Sequence, residues 1–352
     1  MRRTTKIAAL LSTAVLALSG CGGDSSAPSS NESSSGGGES SAAGSDIMVG
    51  LAYDVGGRGD QSFNDSAAAG LDRAVDEFGV KPQESEAADG ESEAAREERL
   101  RTFADAGYSP IIAVGFAYSA AVDTVAKEYP DVDFAIVDDD VATGDNVANL
   151  LFAEEQGSFL VGAAAALKTE TDNIGFIGGV EIPLIQKFEA GYRAGAEAVN
   201  PDIEIQTQYL TQAPDFSGFA DPAKGKTAAQ GMFDNGADIV FHAAGGSGGG
   251  LFEAASQSGN LAIGVDSDQY ETADAAVQDA ILTSMLKNVN VAVYEYLAAV
   301  VEGEAPAGVT RYTLEDDGVG YSTSGGQVDD IADQLEDYKQ QIVDGEIEVP
   351  TS

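Results

Sequence analysis

Short apolar segments alternate with amphipathic segments of helical period along residues 46–352. In the first half, the pattern predicts strands at 47–53, 110–116, 133–137 and 147–152, and helices at 63–78, 91–106 and 119–129. The alternation then restarts, with strands predicted at 174–177, 203–210, 239–242, 261–265 and 281–286, and helices at 184–199, 222–235, 249–258 and 273–278. A helix at 288–301, a short strand pair within 309–321 and an acidic helix at 328–343 follow. This order indicates α/β architecture, with two doubly wound parallel-sheet lobes around a cleft.

The apolar segment 154–167 is predicted to be buried on most sides and to carry the chain from one lobe to the other. We therefore expect a first lobe of residues 46–153 with about 288–308, and a second lobe of residues 154–287. The sequence does not assign residues 309–352 to either lobe. No exact sequence repeat relates the two halves, so any duplication is expected to be structural only.

Residues 1–21 have the features of a signal peptide. Basic residues precede an apolar run at 7–18, which is too short to span a membrane and ends in Leu18-Ser19-Gly20-Cys21. This ending resembles the bacterial lipobox, whose cysteine becomes the lipidated first residue of the mature protein; the alternative is an ordinary secretory signal. Residues 22–45 are mostly Ser, Gly and Ala, and are predicted to form a disordered tether. We expect a protein anchored at Cys21 on the extracytoplasmic face of the cell membrane.

The charge balance narrows the choice of partners. The chain carries 59 acidic and 18 basic residues, for a formal net charge of −41. Nucleic acid is therefore not an expected partner, because phosphate binding needs a basic face. The same charge argues against docking onto anionic lipid. Either a salty habitat or an acidic extracellular protein would give this balance.

The stretch 49–64 predicts a strand, a turn containing Gly56 and Gly57, and a helix with Ser62 as its N-cap. Such a turn lies at the carboxyl edge of a parallel sheet, where α/β proteins bind ligands. Asp54 ends the strand and Phe63 starts the helix, so both are candidates to face a cleft. The alternative is that the glycines only form a tight turn and Phe63 only packs.

Other predicted strands also end in glycine or an acid, namely at Gly115, Asp138, 178–179, 245–246 and Asp266. Polar groups and flexible backbone at strand ends of both halves favour a polar ligand site. Asp266 and Lys287, at successive strand ends, are placed to share a ligand's hydroxyls or to form a simple ion pair. Phe63 and Phe219, with Phe188 and Phe216 as further candidates, are placed either to stack on a planar group or to pack in the core.

Several kinds of chemistry are disfavoured. His242 is the only histidine, and no Gly-x-Ser-x-Gly motif accompanies it, so we expect no enzyme activity. With Cys21 as the only cysteine, no disulfide or thiolate metal site is expected, nor any metal or cofactor. The turn 138–140 is either a hard-cation site or a solvated acidic turn. The glycine run 245–250 lacks the Lys-Ser/Thr of a P-loop, which favours a neutral, hydroxyl-rich ligand held by backbone amides.

Several stretches, in the right order along the chain, match the sequence signatures of one known family. They are 49–71 with Asp54-Val55-Gly56-Gly57 and 60–64, then 114–116, 146–160, 174–193 and 344–350. Through them, nearly all of 47–350 resembles the basic membrane protein family of lipoproteins, the PnrA-like nucleoside-binding receptors of ABC importers. The resemblance implies a type I periplasmic-binding-protein fold with a purine nucleoside in the cleft.

The resemblance also implies roles for individual residues. The base would stack between Phe63 and Phe219, with Asp54 as the polar residue at the end of the first strand and Asn64 beside Phe63. The ribose would be held by Gly245 or Gly246, with Asp266 and Lys287. The family usually carries an acid shortly after the stretch 114–116, and this chain has none there. That contact is either missing or made by Ser119, or replaced by one from Asp138, which leaves the base preference open.

We therefore expect a monomeric, lipid-anchored receptor that captures a nucleoside by lobe closure and delivers it to ABC permease subunits. Three alternatives remain open at this stage. They are the same fold binding a sugar or signalling molecule, a surface adhesin or sensor without a transport role, and a metal-dependent nucleoside hydrolase.

Overall fold

The computed structural model describes residues 46–88 and 90–352. The predictions for the signal peptide, Cys21 and the tether concern residues outside these ranges. The described residues form two six-stranded sheets, each with helices on its faces, which confirms the predicted two-lobed α/β architecture. In the described part of the chain, no helix combines the length and the apolar character needed to cross a bilayer.

The strands occupy most of the short apolar runs found in the sequence. They are β1 (Met48–Ala52), β2 (Lys81–Ser85), β3 (Ile111–Ala113), β4 (Phe134–Val137), β5 (Val147–Phe152), β6 (Asn173–Glu181), β7 (Glu204–Gln212), β8 (Ile239–Ala243), β9 (Leu261–Asp266), β10 (Ile281–Lys287), β11 (Gly308–Tyr312) and β12 (Val319–Tyr321).

The helices occupy the amphipathic segments between them. They are α1 (Phe63–Phe78), α2 (Glu93–Asp105), α3 (Ser119–Glu128), α4 (Glu154–Lys168), α5 (Pro183–Val199), α6 (Pro222–Asp234), α7 (Gly248–Ser258), α8 (Gln269–Thr272), α9 (Val289–Val301) and α10 (Ala332–Val343).

The two sheets have equivalent strand orders. The first sheet runs β11-β5-β4-β3-β1-β2 and the second runs β12-β10-β9-β8-β6-β7. Each is wound in both directions from its first strand, so the order reverses between β1 and β3 in one sheet and between β6 and β8 in the other. Ligands bind α/β sheets at such reversal points. The structural duplication that the sequence analysis left open is therefore present in the strand order of the two sheets.

Two strands lie within or next to the predicted range 309–321, but they do not pair with each other, because one joins each sheet. β11 lies parallel to β5, with Tyr312 opposite Phe152, and completes the first sheet. β12 lies antiparallel to β10 and completes the second sheet. The chain thus crosses between the lobes three times, after β5, after β10 and after β11. In the first lobe, α9 packs on α1, and the Asn290 N–H donates to Ser66 Oγ (3.1 Å).

Two further differences from the sequence patterns have a clear cause. β2 was not predicted, because this edge strand contains Pro82 and a largely exposed run with no buried face. The predicted helix at 273–278 is wrong. Residues 274–276 are exposed and not helical, so the alanines there bury no helical face, and only the single turn of α8 precedes them.

The predicted crossover helix is α4, and it is buried on most sides. It packs closely against α5 through glycines. A Cβ atom at Gly195 would collide with the carbonyl oxygen of Phe159, and one at Gly162 would collide with that of Tyr192. The contact extends to the start of α4, where a Cβ atom at Gly191 would collide with the carbonyl oxygen of Glu155 and Glu154 is only 1% exposed.

Candidate functional site

A cavity between the two lobes lies at the carboxyl ends of the central strands. It is lined by residues from both lobes: Asp54, Val55, Asp60, Phe63, Asn64, Phe116, Asp138, Leu184, Ile185, Phe188, Phe219, Ala243, Gly245, Val265, Asp266 and Lys287. Asp54 and Phe116 follow β1 and β3, and Gly245 follows β8. The cavity therefore lies at the reversal points of both sheets.

Most of the residues expected to bind ligand meet in this cavity. Seven of the nine line it: Asp54, Phe63, Asn64, Phe219, Gly245, Asp266 and Lys287. Ser119 and Gly246 are not among the lining residues. Ser119 is the first residue of α3, and Phe116, three residues earlier, lines the cavity in its place. Gly246 follows Gly245 in a short turn of 3-10 helix.

Lys287 is the central charge of the site. Its side chain is 2% exposed, and its Nζ lies 2.5 Å from Asp138 Oδ2 and 3.5 Å from Glu154 Oε1. Burial alone would lower the pKa of Lys287, but three carboxylates, those of Asp138, Glu154 and Asp266, outweigh it and raise that pKa. Lys287 is therefore charged, and it links a carboxylate of the first lobe to the end of β10 in the second.

Asp138 and Asp266 occupy equivalent places in the two lobes. Asp138 directly follows β4 and Asp266 is the last residue of β9, which are the third strands in the spatial orders of their sheets. Each has a left-handed backbone, with φ of 66° and 65°. Asp138 Oδ1 is buried and has no hydrogen-bond partner in the described structure, although its residue lines the cavity. Buried polar atoms without a partner are rare in folded proteins, so a cavity-lining one is a candidate ligand contact.

Burial raises the pKa of the cavity carboxyls. It raises the pKa of Asp266 to about 7, with Lys287 and Ser62 opposing, and that of Asp54 to about 6. It also raises the pKa of Asp138 to about 6, against the opposing charge of Lys287. Strongly perturbed acids grouped in one cleft are typical of functional sites.

The start of α1 differs from the sequence prediction. Ser62 makes no capping bond with its side chain. The carboxylate of Asp60 caps the helix, accepting from the backbone N–H groups of Ser62 (2.9 Å), Asn64 (2.9 Å) and Asp65 (3.1 Å). The sequence did not predict Asp60 as the cap, because Ser62 stands at the position where a cap is expected. The conformation of the glycine-containing loop before Asp60 cannot be inferred from the sequence pattern.

Asn64 lines the cavity, but its amide is used within the first lobe. Its Oδ1 accepts from the Asp54 N–H (3.0 Å), and its Nδ2 donates to Asp60 Oδ2 (2.9 Å) and to the Val55 carbonyl (3.4 Å). Its evident role is therefore to hold Asp54 and Asp60 in place.

Aromatic and aliphatic side chains form the remaining walls. The Phe63 and Phe188 rings lie 5.1 Å and 5.7 Å from Lys287 Nζ. Phe219 packs against the backbone at Gly179, where any Cβ atom would overlap its ring. Phe216 does not line the cavity but contacts Phe116 of the other lobe edge to face, with centroids 5.5 Å apart.

His242 lies outside the cavity and is fully buried. Burial lowers its pKa to about 4, so it is neutral near pH 7. Its Nε2 lies 3.0 Å from Gln269 Oε1, and its ring contacts Phe252 edge to face. It therefore has no place in chemistry at the cavity.

The donor and acceptor balance of the cavity defines what it can hold. Four lining residues are acids and Lys287 is the single basic one. Such a set accepts hydrogen bonds from hydroxyl and N–H groups and repels phosphate or carboxylate groups. With aromatic rings also lining it, the cavity suits a ligand that combines an apolar or planar part with several polar donors.

Two doubly wound lobes with a cavity between their strand ends define a binding protein of the periplasmic type. Residues 47–352 match the family model described as ABC transporter substrate-binding protein PnrA-like. The chain belongs to this family, which confirms the resemblance found in the sequence.

Relatives and solved structures agree with this placement. The chain is 37% identical to the CD4+ T-cell-stimulating antigen of Listeria monocytogenes, covering 87% of this chain and 88% of the relative. It is 32% identical to the ABC transporter nucleoside-binding protein BmpA of Lactococcus lactis, covering 99% of each. A crystal structure of an ABC transporter solute-binding protein from Aeropyrum pernix superposes with a TM-score of 0.75 at 31% identity, covering 87% of this chain and 94% of that one.

Proposed function

We propose that this protein captures a nucleoside outside the cell and delivers it to an ABC permease, without catalysis. The observation that carries the proposal is one cavity in which phenylalanines from both lobes lie beside the cluster of Asp138, Asp266 and Lys287. A nucleoside has a planar base, which would stack on the phenylalanines, and a ribose, whose hydroxyl groups would donate to the charged cluster. The nucleoside-binding relative from Lactococcus lactis supports the same ligand class.

The cavity suggests a role for each group. Phe63 and Phe219 would stack on the base, and Asp54 would accept one of its N–H groups. Asp266 and the free oxygen of Asp138 would accept the ribose hydroxyls, while Lys287 would donate to a ribose oxygen. Asp138 thus enters the proposed site, and Ser119 leaves it.

Isothermal titration with guanosine, adenosine, uridine, ribose and guanosine monophosphate tests the ligand class. We expect binding of at least one nucleoside, weaker binding of ribose for lack of stacking, and none of the monophosphate because of the cavity carboxylates. Absence of binding by all three nucleosides would overturn the proposal.

The location of the protein is also a proposal. Lipidation at Cys21 would place the folded body above the membrane on the tether 22–45, near the permease. Incorporation of labelled palmitate by the producing cells, compared with a Cys21→Ala variant, tests the anchor. Uptake of labelled nucleoside after deletion of the gene tests the transport role, and unchanged uptake would count against it.

A further inference from the structure

The loop at residues 60–62, just before α1, forms hydrogen bonds across the cleft. Ser62 Oγ donates to Asp266 Oδ2 (2.5 Å), Ser267 Oγ donates to the Ser62 carbonyl (3.0 Å), and Gln269 Nε2 donates to the Gln61 carbonyl (3.0 Å). These residues belong to different lobes and are separated by more than 200 positions in sequence. We refer to residues 60–62 with Asp266, Ser267 and Gln269 as the latch.

Gln269 is held in a fixed orientation by its own lobe. It is 2% exposed, and its Oε1 accepts from the Val265 N–H (2.8 Å) and faces His242 Nε2 (3.0 Å). A backbone N–H can only donate, so the atom facing it is the amide oxygen. The amide nitrogen therefore points to Gln61 of the other lobe.

His242 takes a definite role in this arrangement. Because Gln269 Oε1 is an acceptor, His242 Nε2 carries the proton and donates. His242 thus holds the amide of Gln269 in place from within the second lobe, and His242 itself does not line the cavity. This accounts for a buried side chain that the proposed ligand site does not use.

The opposite side of the latch is also held in place. Gln61 has a left-handed backbone (φ 55°), which is uncommon for a residue other than glycine. Its N–H donates to Asp65 Oδ2 (2.9 Å), and Asp60 binds the start of α1. The Gln61 carbonyl is therefore presented to the second lobe by a loop with little freedom of its own.

We propose that Gln269, oriented by His242, is a positioning residue that holds the lobes together over the bound ligand. The inference rests on the proposed function for the nature of the ligand. Separation of the lobes would break all three latch bonds. Asp266 both lines the cavity and accepts from Ser62, so the ligand and the latch share one carboxylate. Retention of the ligand is therefore coupled to the latch at a single side chain.

The latch is expected to act on release more than on capture. Its bonds exist only when the lobes are together, so losing one should speed dissociation and leave association nearly unchanged. A neutral hydrogen bond contributes modestly to stability, which corresponds to a roughly 2- to 12-fold faster dissociation for each bond lost.

Stopped-flow measurement of guanosine association and dissociation with the full chain tests this inference. Ser267→Ala removes one bond across the cleft without touching the cavity, and Gln269→Met removes another. Ser324→Ala is the matched control, because Ser324 Oγ donates to Asp268 Oδ2 (2.6 Å) within the second lobe. We expect faster dissociation in the first two variants and parental rates in the control. Unchanged dissociation in Gln269→Met or in Ser267→Ala would overturn the latch, as would an equal increase in the control.

Hydrogen exchange without ligand gives a second, independent measurement. Peptides covering residues 58–64 should exchange faster in Ser267→Ala than in the parent and in Ser324→Ala. This result would support the latch even if guanosine failed to bind, in which case only the proposed ligand would fall. Equal exchange in all three proteins would contradict it.

Discussion

Lys287 Nζ lies 2.5 Å from Asp138 Oδ2, so that an ammonium group of the second lobe is paired with a carboxylate of the first. Both side chains are almost completely buried, at 2% and 4% exposure. The same ammonium is 3.5 Å from Glu154, at the start of the crossover helix. One ammonium group is thus close to a carboxylate of the ligand cavity and to one at the crossing between the lobes.

Replacing Lys287 with methionine should destabilise the fold as well as weaken ligand binding. The buried carboxylates would lose their counter-ion, and breaking such a pair costs about 3–5 kcal/mol. Urea denaturation measures the loss. The control is Lys339→Met, whose partner Asp317 is 81% exposed, where a loss below about 1 kcal/mol is expected. Adding Asp138→Asn to Lys287→Met should restore part of the stability; no recovery would argue against the pairing.

Phe63→Ala tests stacking in the proposed site. Loss of one aromatic face from a stacked base costs about 1–3 kcal/mol, by analogy with single-stranded nucleic acids. The dissociation constant for a nucleoside should therefore rise by roughly 5- to 150-fold, measured by titration. Phe233→Ala removes a half-buried ring that does not line the cavity and should leave the affinity at the parental value. Similar affinities for Phe63→Ala and the parent would refute stacking on this ring.

Gly195→Ala tests the close packing of α4 on α5. A methyl group there would overlap the backbone oxygen of Phe159, and overpacking of this kind costs about 1–3 kcal/mol or more. Gly231, in the exposed part of α6, has no atom within 4 Å of the added carbon. Gly231→Ala should therefore stabilise the chain by about 0.5–1 kcal/mol. Thermal unfolding of both variants should show shifts of opposite sign.

The stability of the fold should decrease as pH rises from about 5 to 8. Asp266, Asp54 and Asp138 have raised pKa values of about 7, 6 and 6, so the folded chain binds more protons than the unfolded one in this range. Their stabilising contribution is complete below the usual carboxyl pKa near 4 and is lost as pH rises through 6 and 7. His242, with a pKa lowered to about 4, has the opposite effect up to about pH 6.5, but one histidine is set against three acids.

Thermal unfolding across this pH range measures the effect. Asp266→Asn should flatten the upper part of the profile, since the group with the highest of these pKa values is removed. A parental profile that rises between pH 6.5 and 8 would show that these acids are ionised without cost in the fold.

Salt should stabilise the protein. A net charge of −41 produces self-repulsion in the compact state, and the screening length falls from about 30 Å at 0.01 M salt to about 3 Å at 1 M. The melting temperature should therefore rise between these concentrations. Sodium and potassium chloride should act alike at equal ionic strength, and a melting temperature independent of salt would exclude this mechanism.

Much of the fold was predictable because burial shows directly in the sequence. The strands of the sheet centres are continuous apolar runs, and the residues that end them, such as Asp54 and Asp266, could be placed at the cleft from parallel-sheet geometry alone. β2 was not predicted because an exposed edge strand has no apolar pattern. The pairing partners of β11 and β12 were not predicted because a local pattern indicates a strand but does not indicate which sheet it joins.

The site was predictable in part for the same reason. Lys287 and Phe63 stand next to predicted strand and helix ends, where a sequence pattern can place them. Phe188 was a candidate from the sequence and lines the cavity, but Leu184, one turn earlier in α5, was not, because only the packing of the second lobe brings it to the cleft. The internal bonds of Asn64 depend on how the loop before α1 folds back, which its glycines do not specify.

Because β11 joins the first sheet and β12 joins the second, the order in which the chain can fold during synthesis is constrained. The first sheet lacks its last strand until Tyr312 has been made, and the second lacks its own until Tyr321. Neither sheet can therefore be complete before the other is nearly complete. A nascent chain that ends before residue 308 lacks one edge strand in each sheet, and the last few dozen residues supply both strands.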